Sequence, residues 1–229
     1  MTDRETTSAA TTATRAVLRD SFAVGIAVGL SGVAFGSTAT AAGLTTMQAC
    51  ALSLFTFTGA SQFALVAAIS GGGSPLLGAA GAILLGGRNS LYGLRLAPML
   101  DLPAGRRLAA AHWVIDETTA VTQAQPDRRS ARLGFTATGA CLFLLWNTTT
   151  LLGALGTAAL GDPSRFGLDA AGPAVFLALV APRLAEGRAQ RWTAGLAVLI
   201  ALAGTPLLPP GVPILLAALA VAPSLAVRA

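Results

Sequence analysis

The stretch SFAVGIAVGLSGVAFGSTATAAGL, residues 21–44, decides the fold of this protein. It opens a run through residue 87 that contains no Asp, Glu, Lys or Arg. A membrane crossing takes about 20 apolar residues, so this run has room for up to three transmembrane helices. Two further uncharged stretches follow, residues 133–161 and 192–227. The sequence therefore predicts an all-α, polytopic transmembrane helix bundle.

The overall composition excludes most soluble proteins. Of the 229 residues, 54% are hydrophobic and only 11% are charged, whereas a soluble domain carries about 25% charged residues. The mean hydropathy is +0.68. So few charges could not cover the surface of a soluble protein of this size. We therefore expect a multi-pass protein of the cell membrane, and not an enzyme of the cytosol.

The net charge of +5 comes from arginines that lie between the apolar segments, since the chain has no lysine. Their main clusters are Arg15/Arg19, Arg106/Arg107, Arg128/Arg129/Arg132 and Arg183/Arg188/Arg191. This distribution is typical of membrane-protein loops on the cytoplasmic side rather than of a nucleic-acid-binding patch. Cys50 and Cys141 both lie in apolar stretches, so we expect neither a disulfide nor a metal site.

The apolar segments predict about seven crossings, within a range of six to eight. The predicted crossings are residues 21–43, 46–70, 75–97, 133–157, 170–185, 192–208 and 211–227. Residues 1–20 form a polar tail, and residues 21–229 form one transmembrane domain with halves 21–100 and 133–229 joined by 101–132. Arg15, Arg19 and the following apolar run resemble a signal peptide. Because that run continues past residue 41, we expect no cleavage.

One segment and one symmetry leave the topology open. Residues 104–125 look helical but contain polar residues, so they form either a surface amphipathic helix or an unusually polar eighth crossing. With seven crossings and with eight crossings alike, ten arginines lie on the inner side of the membrane and four on the outer side. The distribution of positive charge therefore favours neither topology, and we adopt seven crossings. An offset of 113 pairs Phe22 with Phe135 and Gly43 with Gly156. If this offset reflects an internal repeat, the two halves of the protein have inverted topologies with seven crossings and parallel topologies with eight.

The first candidate site is the block Gly59, Ala60, Ser61, Gln62 and Phe63 in the second predicted crossing. A glycine beside two small residues can interrupt a helix and free backbone groups for a polar ligand. The Gln62 amide both donates and accepts hydrogen bonds. The alternative is close packing of small residues, with Gln62 bonded to a neighbouring helix.

The second candidate site surrounds Arg88, near the centre of the predicted crossing 75–97. An arginine at that depth costs about 2.5–3.5 kcal/mol, so it usually faces an aqueous cavity or an anionic partner. Its planar guanidinium suits a carboxylate. We expect Asn89 and Tyr92 to orient such a ligand, because the four-residue spacing puts Tyr92 on the helix face of Arg88. Alternatively, the crossing is shifted and Arg88 snorkels to an interface.

The third candidate site is the acidic pair Asp116 and Glu117, close to His112, the only histidine. Partly buried, these groups could relay protons, because a carboxylate in a low-dielectric cleft has a raised pKa. The alternative is a solvated loop helix.

Four residues further along the chain support these sites. Gly172 and Pro173, the repeat partners of the first block, also break helices, and Phe176 could line an apolar pocket with Phe63. Asp169 either joins the site or caps a helix.

In order along the chain, residues 59–63, 88–93, 116–117 and 167–169 resemble the successive signatures of the AzlC family, the large subunits of branched-chain amino acid exporters. The resemblance covers roughly residues 15–225, and its first block is the most specific. The family usually has Asn two positions before the arginine and often His after it. Here those positions hold Gly86 and Asn89, a departure that bears on the identity of the substrate.

The resemblance implies a secondary exporter of branched-chain or other neutral amino acids that pairs with a small AzlD-type membrane subunit and needs no cofactor. The chain has no phosphate-binding loop with Lys, so any use of ATP would need another chain. Alternatives are a channel or a non-transporting membrane scaffold. An intramembrane protease is more remote, because it needs a membrane Ser–His pair or two juxtaposed aspartates, and the only histidine lies in the ambiguous segment.

Overall fold

The computed structural model describes the backbone of residues 3–160, 174, 177, 180, 181, 184–208 and 212–221. This part of the chain contains helices and no strand, which confirms the predicted all-α class. The helices are α1 (Asp3–Gly29), α2 (Gly32–Ala41), α3 (Thr46–Thr56), α4 (Gly59–Ser70), α5 (Pro75–Gly86), α6 (Arg88–Leu100), α7 (Ala104–Ala111), α8 (Asp116–Gln123), α9 (Arg128–Leu160), α10 (Arg188–Gly204) and α11 (Val212–Ala217).

Local sequence signals explain several helix starts. Thr45 and Gln48 form a reciprocal capping box at the start of α3, with bonds of 3.2 and 2.8 Å between side chain and backbone. Pro75 occupies the first turn of α5, where its missing N–H costs nothing. At the start of α9, the Asp127 carboxylate accepts bonds from the backbone N–H and the hydroxyl of Ser130. These bonds hold the pKa of the exposed Asp127 carboxyl below its ordinary value.

Two helical stretches in the described part are long and apolar enough to cross a membrane. They are Thr11–Ala41, which includes the turn between α1 and α2, and Arg128–Ala159, with mean hydropathies of 1.7 and 1.3 in their most apolar windows. They contain all but the last two residues of the predicted crossing 21–43 and the whole of the predicted crossing 133–157. The count of seven crossings stays a prediction, because parts of the chain after residue 160 lie outside the described residues.

These two long stretches lie side by side and run in the same direction. Going along α1, the Ser21 hydroxyl donates to the Gly134 carbonyl, and the Gly29 carbonyl accepts from the Thr149 hydroxyl at 2.7 Å. Contacts further along each helix continue in the same order. The helices that the 113-residue offset relates are therefore parallel neighbours.

Glycine makes this parallel contact close. A Cβ atom at Gly36 of α2 would collide with the carbonyl oxygen of Thr150, and one at Gly153 of α9 would collide with the carbonyl of Val33. The two backbones therefore touch directly, as small residues allow in membrane helix pairs.

The predicted crossing 46–70 is two helices that form a hairpin. The chain leaves α3 after Thr56 and enters α4 at Gly59. The Gln62 side-chain N–H donates to the Leu52 carbonyl at 3.0 Å. Ten residues of straight helix span about 15 Å, too far for this bond, so α4 turns back beside α3.

Helices α5 and α6 together form a long, broken helix over the predicted crossing 75–97. Near its middle, Gly86 lies beside Ser61 at the start of α4, so α5 runs antiparallel to α4. At its far end, the Leu100 carbonyl accepts a hydrogen bond from Arg132 in the first turns of α9. This broken helix therefore runs opposite to α9.

Residues 104–125 form a second hairpin, which neither of the two alternatives described. Trp113 packs over Gly139 of α9, whereas Val121, eight residues later, packs at Gly134. The chain therefore runs along α9 through α7 and returns through α8. Each of these helices has eight residues, about 12 Å, too short to cross a membrane.

The two hairpins change the predicted topology of the first 160 residues. Each hairpin returns to the end of the bundle at which it began. In the seven-crossing topology, residues 21–43 and 133–157 are antiparallel, whereas in the structure they are parallel. The difference arises because residues 46–70 reverse direction at their midpoint. In the later part, α10 packs against α11.

We predict that Gly153→Ala destabilises the protein and that Gly156→Ala does not. The added methyl group at Gly153 collides with the α2 backbone, and overpacking typically costs about 1–3 kcal/mol. At Gly156, on the same helix, a Cβ meets nothing within 4 Å, and replacing a helical glycine by alanine favours the helix. Thermal unfolding of the purified variants measures the difference. Equal melting temperatures would show that the α2–α9 contact is not close.

Candidate functional site

Breaks in the helices converge on one cavity of about 380 Å³. Ser31, from the turn between α1 and α2, lines it, as do Phe57 and Thr58 from the turn of the first hairpin. Arg88, the first residue of α6, and Ile115, just before α8, complete the set. The cavity therefore lies where four segments of the chain depart from regular α-helix.

The start of α4 presents unpaired backbone N–H groups to this cavity. Thr58 is extended, with φ −151°, and its side chain does not cap the helix. The N–H of Gln62 makes the first bond of the helix, to the Thr58 carbonyl. The N–H groups of Gly59 and Ala60, which line the cavity, precede that bond and have no acceptor within the helix. The positive end of the α4 dipole therefore points toward the cavity.

Arg88 and Asp116 form an ion pair at the cavity wall. The Arg88 terminal nitrogen lies 2.8 Å from the Asp116 Oδ2 atom, and each side chain is 35% exposed. The Arg88 Nε and Asp116 Oδ1 atoms are buried and have no hydrogen-bond partner among the described residues. Buried polar groups are rarely left unsatisfied. Each partner therefore has one buried polar atom that the described residues leave without a hydrogen bond.

Glu117 lines the same cavity beside this ion pair. It lies in the first turn of α8, outside both candidate membrane spans, where the helix dipole favours an acidic residue. Burial raises the pKa of the Glu117 carboxyl, and the neighbouring Asp116 carboxylate acts in the same direction. A backbone hydrogen bond and the Arg88 charge oppose that rise. In the described part of the chain, Glu117 has no cation as an ion-pair partner, in contrast to Asp116.

The remaining walls of the cavity are apolar. Val28, Phe63, Leu142 and Trp146 line it, together with small residues of α1 and α2. The rings of Phe63 and Trp146 meet edge to face with centroids 6.3 Å apart. One end of the cavity is thus charged, and the rest accepts an aliphatic group.

Gln62 supports the site from behind and does not line the cavity. Its amide nitrogen donates to the Leu52 carbonyl, and its amide oxygen accepts from the Trp146 indole N–H at 3.0 Å. The side chain is 1% exposed. Of the two sequence interpretations, the structure therefore matches the one in which Gln62 bonds to a neighbouring helix.

Three other predicted residues also lie outside the cavity lining. Ser61 is buried, and its hydroxyl has no partner among the described residues. Tyr92 packs against a second apolar cluster that includes Leu96 and Phe135. Asn89 follows Arg88 in α6 without reaching the cavity. Their assignment to substrate binding stays a prediction.

The His112 ring contacts the first hairpin. Its centroid lies 5.9 Å from that of Phe57 and 5.7 Å from that of Phe143 in α9. His112 therefore marks the point where the two hairpin turns meet, and it does not line the cavity.

Four predicted supporting residues cannot be placed. Asp169, Gly172, Pro173 and Phe176 lie outside the described residues.

Sequence reasoning missed part of the cavity wall. Trp146, Ile115, Leu142 and Ser31 line it, yet none was a candidate. Only Trp146 carried a signal, since an indole N–H in an uncharged stretch needs a hydrogen-bond partner. The other three look like ordinary apolar or small residues of a membrane helix.

The sequence comparisons give a family but no individual relative. A family model described as AzlC protein matches residues 23–160, which is more than half of the chain. Neither a curated protein nor a solved structure is significantly similar to it. The matched region contains every residue that lines the cavity. The chain therefore belongs to the AzlC family.

Proposed function

We propose that this protein is a secondary transporter, and not an enzyme, that exports branched-chain or other neutral amino acids across the cell membrane. Family membership suggests a membrane protein related to branched-chain amino acid permeases. The observation that carries the proposal is the cavity, which combines a cation, two carboxylates and free backbone N–H groups with apolar walls. Its volume, about 380 Å³, lies in the range of small-molecule sites, roughly 300–1,000 Å³.

A zwitterionic amino acid matches the arrangement of these groups. Its carboxylate would bind the partly exposed guanidinium of Arg88 and the N–H groups at Gly59 and Ala60. Its ammonium group would bind the Asp116 and Glu117 carboxylates, which both line the cavity. An aliphatic side chain would then lie against the apolar wall. Charge-assisted bonds of this kind contribute about 1.5–3 kcal/mol each.

The charges at the site support coupling to protons through Glu117. Arg88 and Asp116 neutralise each other, so Glu117 adds one unbalanced negative charge to the cavity. A proton or the substrate ammonium group can balance this charge, and one site cannot hold both. Binding of a proton would therefore release the amino acid, which is the competition that an antiporter requires.

The two hairpins suggest how such a site opens to alternate sides. The hairpins enter the bundle from opposite ends, and their turns meet at Phe57 and His112. Movement of one hairpin away from the other would open the cavity at that hairpin's end only. Transporters commonly place their site at the midplane, between broken helices.

A small AzlD-type subunit belongs to the proposal as a partner, because family resemblance implies it. Helix α5 offers an apolar surface: Leu76, Ile83 and Leu84 are each more than 70% exposed. Such a surface suits either lipid or another apolar helix.

We predict that Arg88→Lys lowers leucine affinity at least 10-fold while leaving the protein folded. Lysine keeps the charge and can keep the ion pair with Asp116, but it lacks the planar fork that binds a carboxylate. Leucine binding to the purified parent and variant is the measurement, and it also tests the proposed substrate class. If the parent and Arg88→Lys bind leucine with equal affinity, the carboxylate of the substrate binds elsewhere. A parent that binds no neutral amino acid would contradict the proposed function.

Gly59→Leu is expected to reduce leucine binding at least 10-fold by filling the cavity. A Cβ atom at Gly59 would already lie 3.0 Å from the Trp146 ring, so a leucine side chain takes the space of the substrate. The matched control is Gly93→Leu, since a Cβ at Gly93 meets nothing within 4 Å. The control should bind leucine within two-fold of the parent. Equal losses in both variants would mean that bulk in the helices, and not the cavity, controls binding.

For Glu117→Gln we expect loss of proton-driven export with retention of leucine exchange at reduced affinity. Because the pKa of the Glu117 carboxyl is raised, the parent should bind leucine more tightly as the pH rises from about 4.5 through that raised value. Because burial favours the protonated form of Glu117, this residue contributes to the free energy of unfolding at low pH. That contribution is lost as the pH rises through the raised pKa. Neither trend should occur in the variant.

Asp127→Asn is the control for Glu117→Gln. It makes the same chemical change at an exposed carboxylate outside the cavity, and asparagine still caps a helix. Export and its pH dependence should not change. Persistence of proton-driven export in Glu117→Gln would eliminate Glu117 as the proton carrier.

A further inference from the structure

A second cavity, of about 320 Å³, lies between the end of α6, helix α7 and the start of α9. The floor of this cavity is apolar, and two arginine side chains line it as well. The floor is formed by Leu100, Leu102, Trp113 and Phe135. The two arginines are Arg106 and Arg132. The amino-acid site uses none of them.

The surroundings of this cavity are strongly basic. Residues 101–132 contain five arginines and four acidic residues. Two of the acids, Asp116 and Glu117, line the amino-acid site, and the other two are Asp101 and Asp127. Arg128 pairs with Asp101, and Asp127 bonds to Ser130. Arg106 is exposed and forms no ion pair within the described part of the chain. The cavity therefore has an excess of positive charge that the protein itself does not neutralise.

Helix α7, the first arm of the second hairpin, exposes both apolar and basic side chains beside this cavity. None of the residues of α7 is buried. The apolar side chain of Leu108 is 81% exposed and lies next to Arg106 and Arg107 in the sequence. The apolar side chain can contact lipid acyl chains, and the arginines can contact anionic headgroups.

We propose that this cavity binds an anionic phospholipid. The phosphate would lie between Arg106 and the part of the Arg132 guanidinium that does not bond to the α6 carbonyls, and an acyl chain would cover the apolar floor. Arginine-rich ends of membrane proteins face the cytoplasm, and the cytoplasmic leaflet carries the anionic lipids. The proposal rests on placement of the chain in a membrane and not on the amino acid transported.

The test is native mass spectrometry of the full chain in detergent, titrated with phosphatidylglycerol or with phosphatidylcholine of the same acyl chains. Phosphatidylglycerol should bind at least five-fold more tightly. Arg106→Gln should remove about five-fold of that affinity, which corresponds to about 1 kcal/mol for one basic residue near a membrane surface. Glycerol phosphate, which has the charge without the acyl chains, should compete poorly.

Two further variants separate the cavity from a diffuse basic surface. Arg129→Gln removes the same charge from an exposed residue outside the cavity lining, and it should retain binding within two-fold of the parent. Ala109→Phe fills the cavity without changing the charge, and it should weaken binding as much as Arg106→Gln does. Equal losses in Arg106→Gln and Arg129→Gln, unchanged binding in Ala109→Phe, equal binding of both lipids, or full competition by glycerol phosphate would each overturn the proposal. Leucine binding by the same preparations reports separately on the amino-acid site.

Discussion

The constraint on which this structure depends is the need to satisfy backbone polar groups where helices break among apolar surroundings. An interrupted helix leaves N–H and C=O groups without partners, and each costs free energy away from water. Here the breaks after Leu30, Phe57 and Gly87 and the turn before Asp116 open onto one cavity. Collecting the breaks in one place confines the unpaired groups to a single polar region and leaves the rest of the helices intact.

The same region holds the charged side chains for the same reason. An unpaired Arg88 would cost free energy in an apolar bundle, and the ion pair with Asp116 offsets part of that cost. The pair makes the cavity polar without giving it a net charge. Glu117 adds the single charge that distinguishes a protonated from a deprotonated cavity. Position of the breaks and position of the charges are therefore two consequences of one requirement.

The sequence predicted the parts of this arrangement that depend on residue type. Gly59 indicated a helix break and Arg88 indicated a charged cavity, and both line the cavity together with Asp116 and Glu117. The reversal of the chain at Phe57 could not be predicted from hydropathy. An apolar hairpin of two short helices has the same hydropathy profile as one straight helix that crosses the membrane. The Gln62–Trp146 hydrogen bond joins residues 84 positions apart, and no local pattern records such a distance. The pairing of Arg88 with Asp116 escaped prediction for the same reason.

The close contact between α2 and α9 also bears on the permeability of the bundle. Where the backbones touch at Gly36 and Gly153, no side chain separates the two helices and no gap is left for a file of water molecules. Protons cross apolar layers mainly along such files. If transport is coupled to a proton gradient, as we propose, a leak of protons would dissipate that gradient. The close contact between α2 and α9 would prevent such a leak on one side of the cavity.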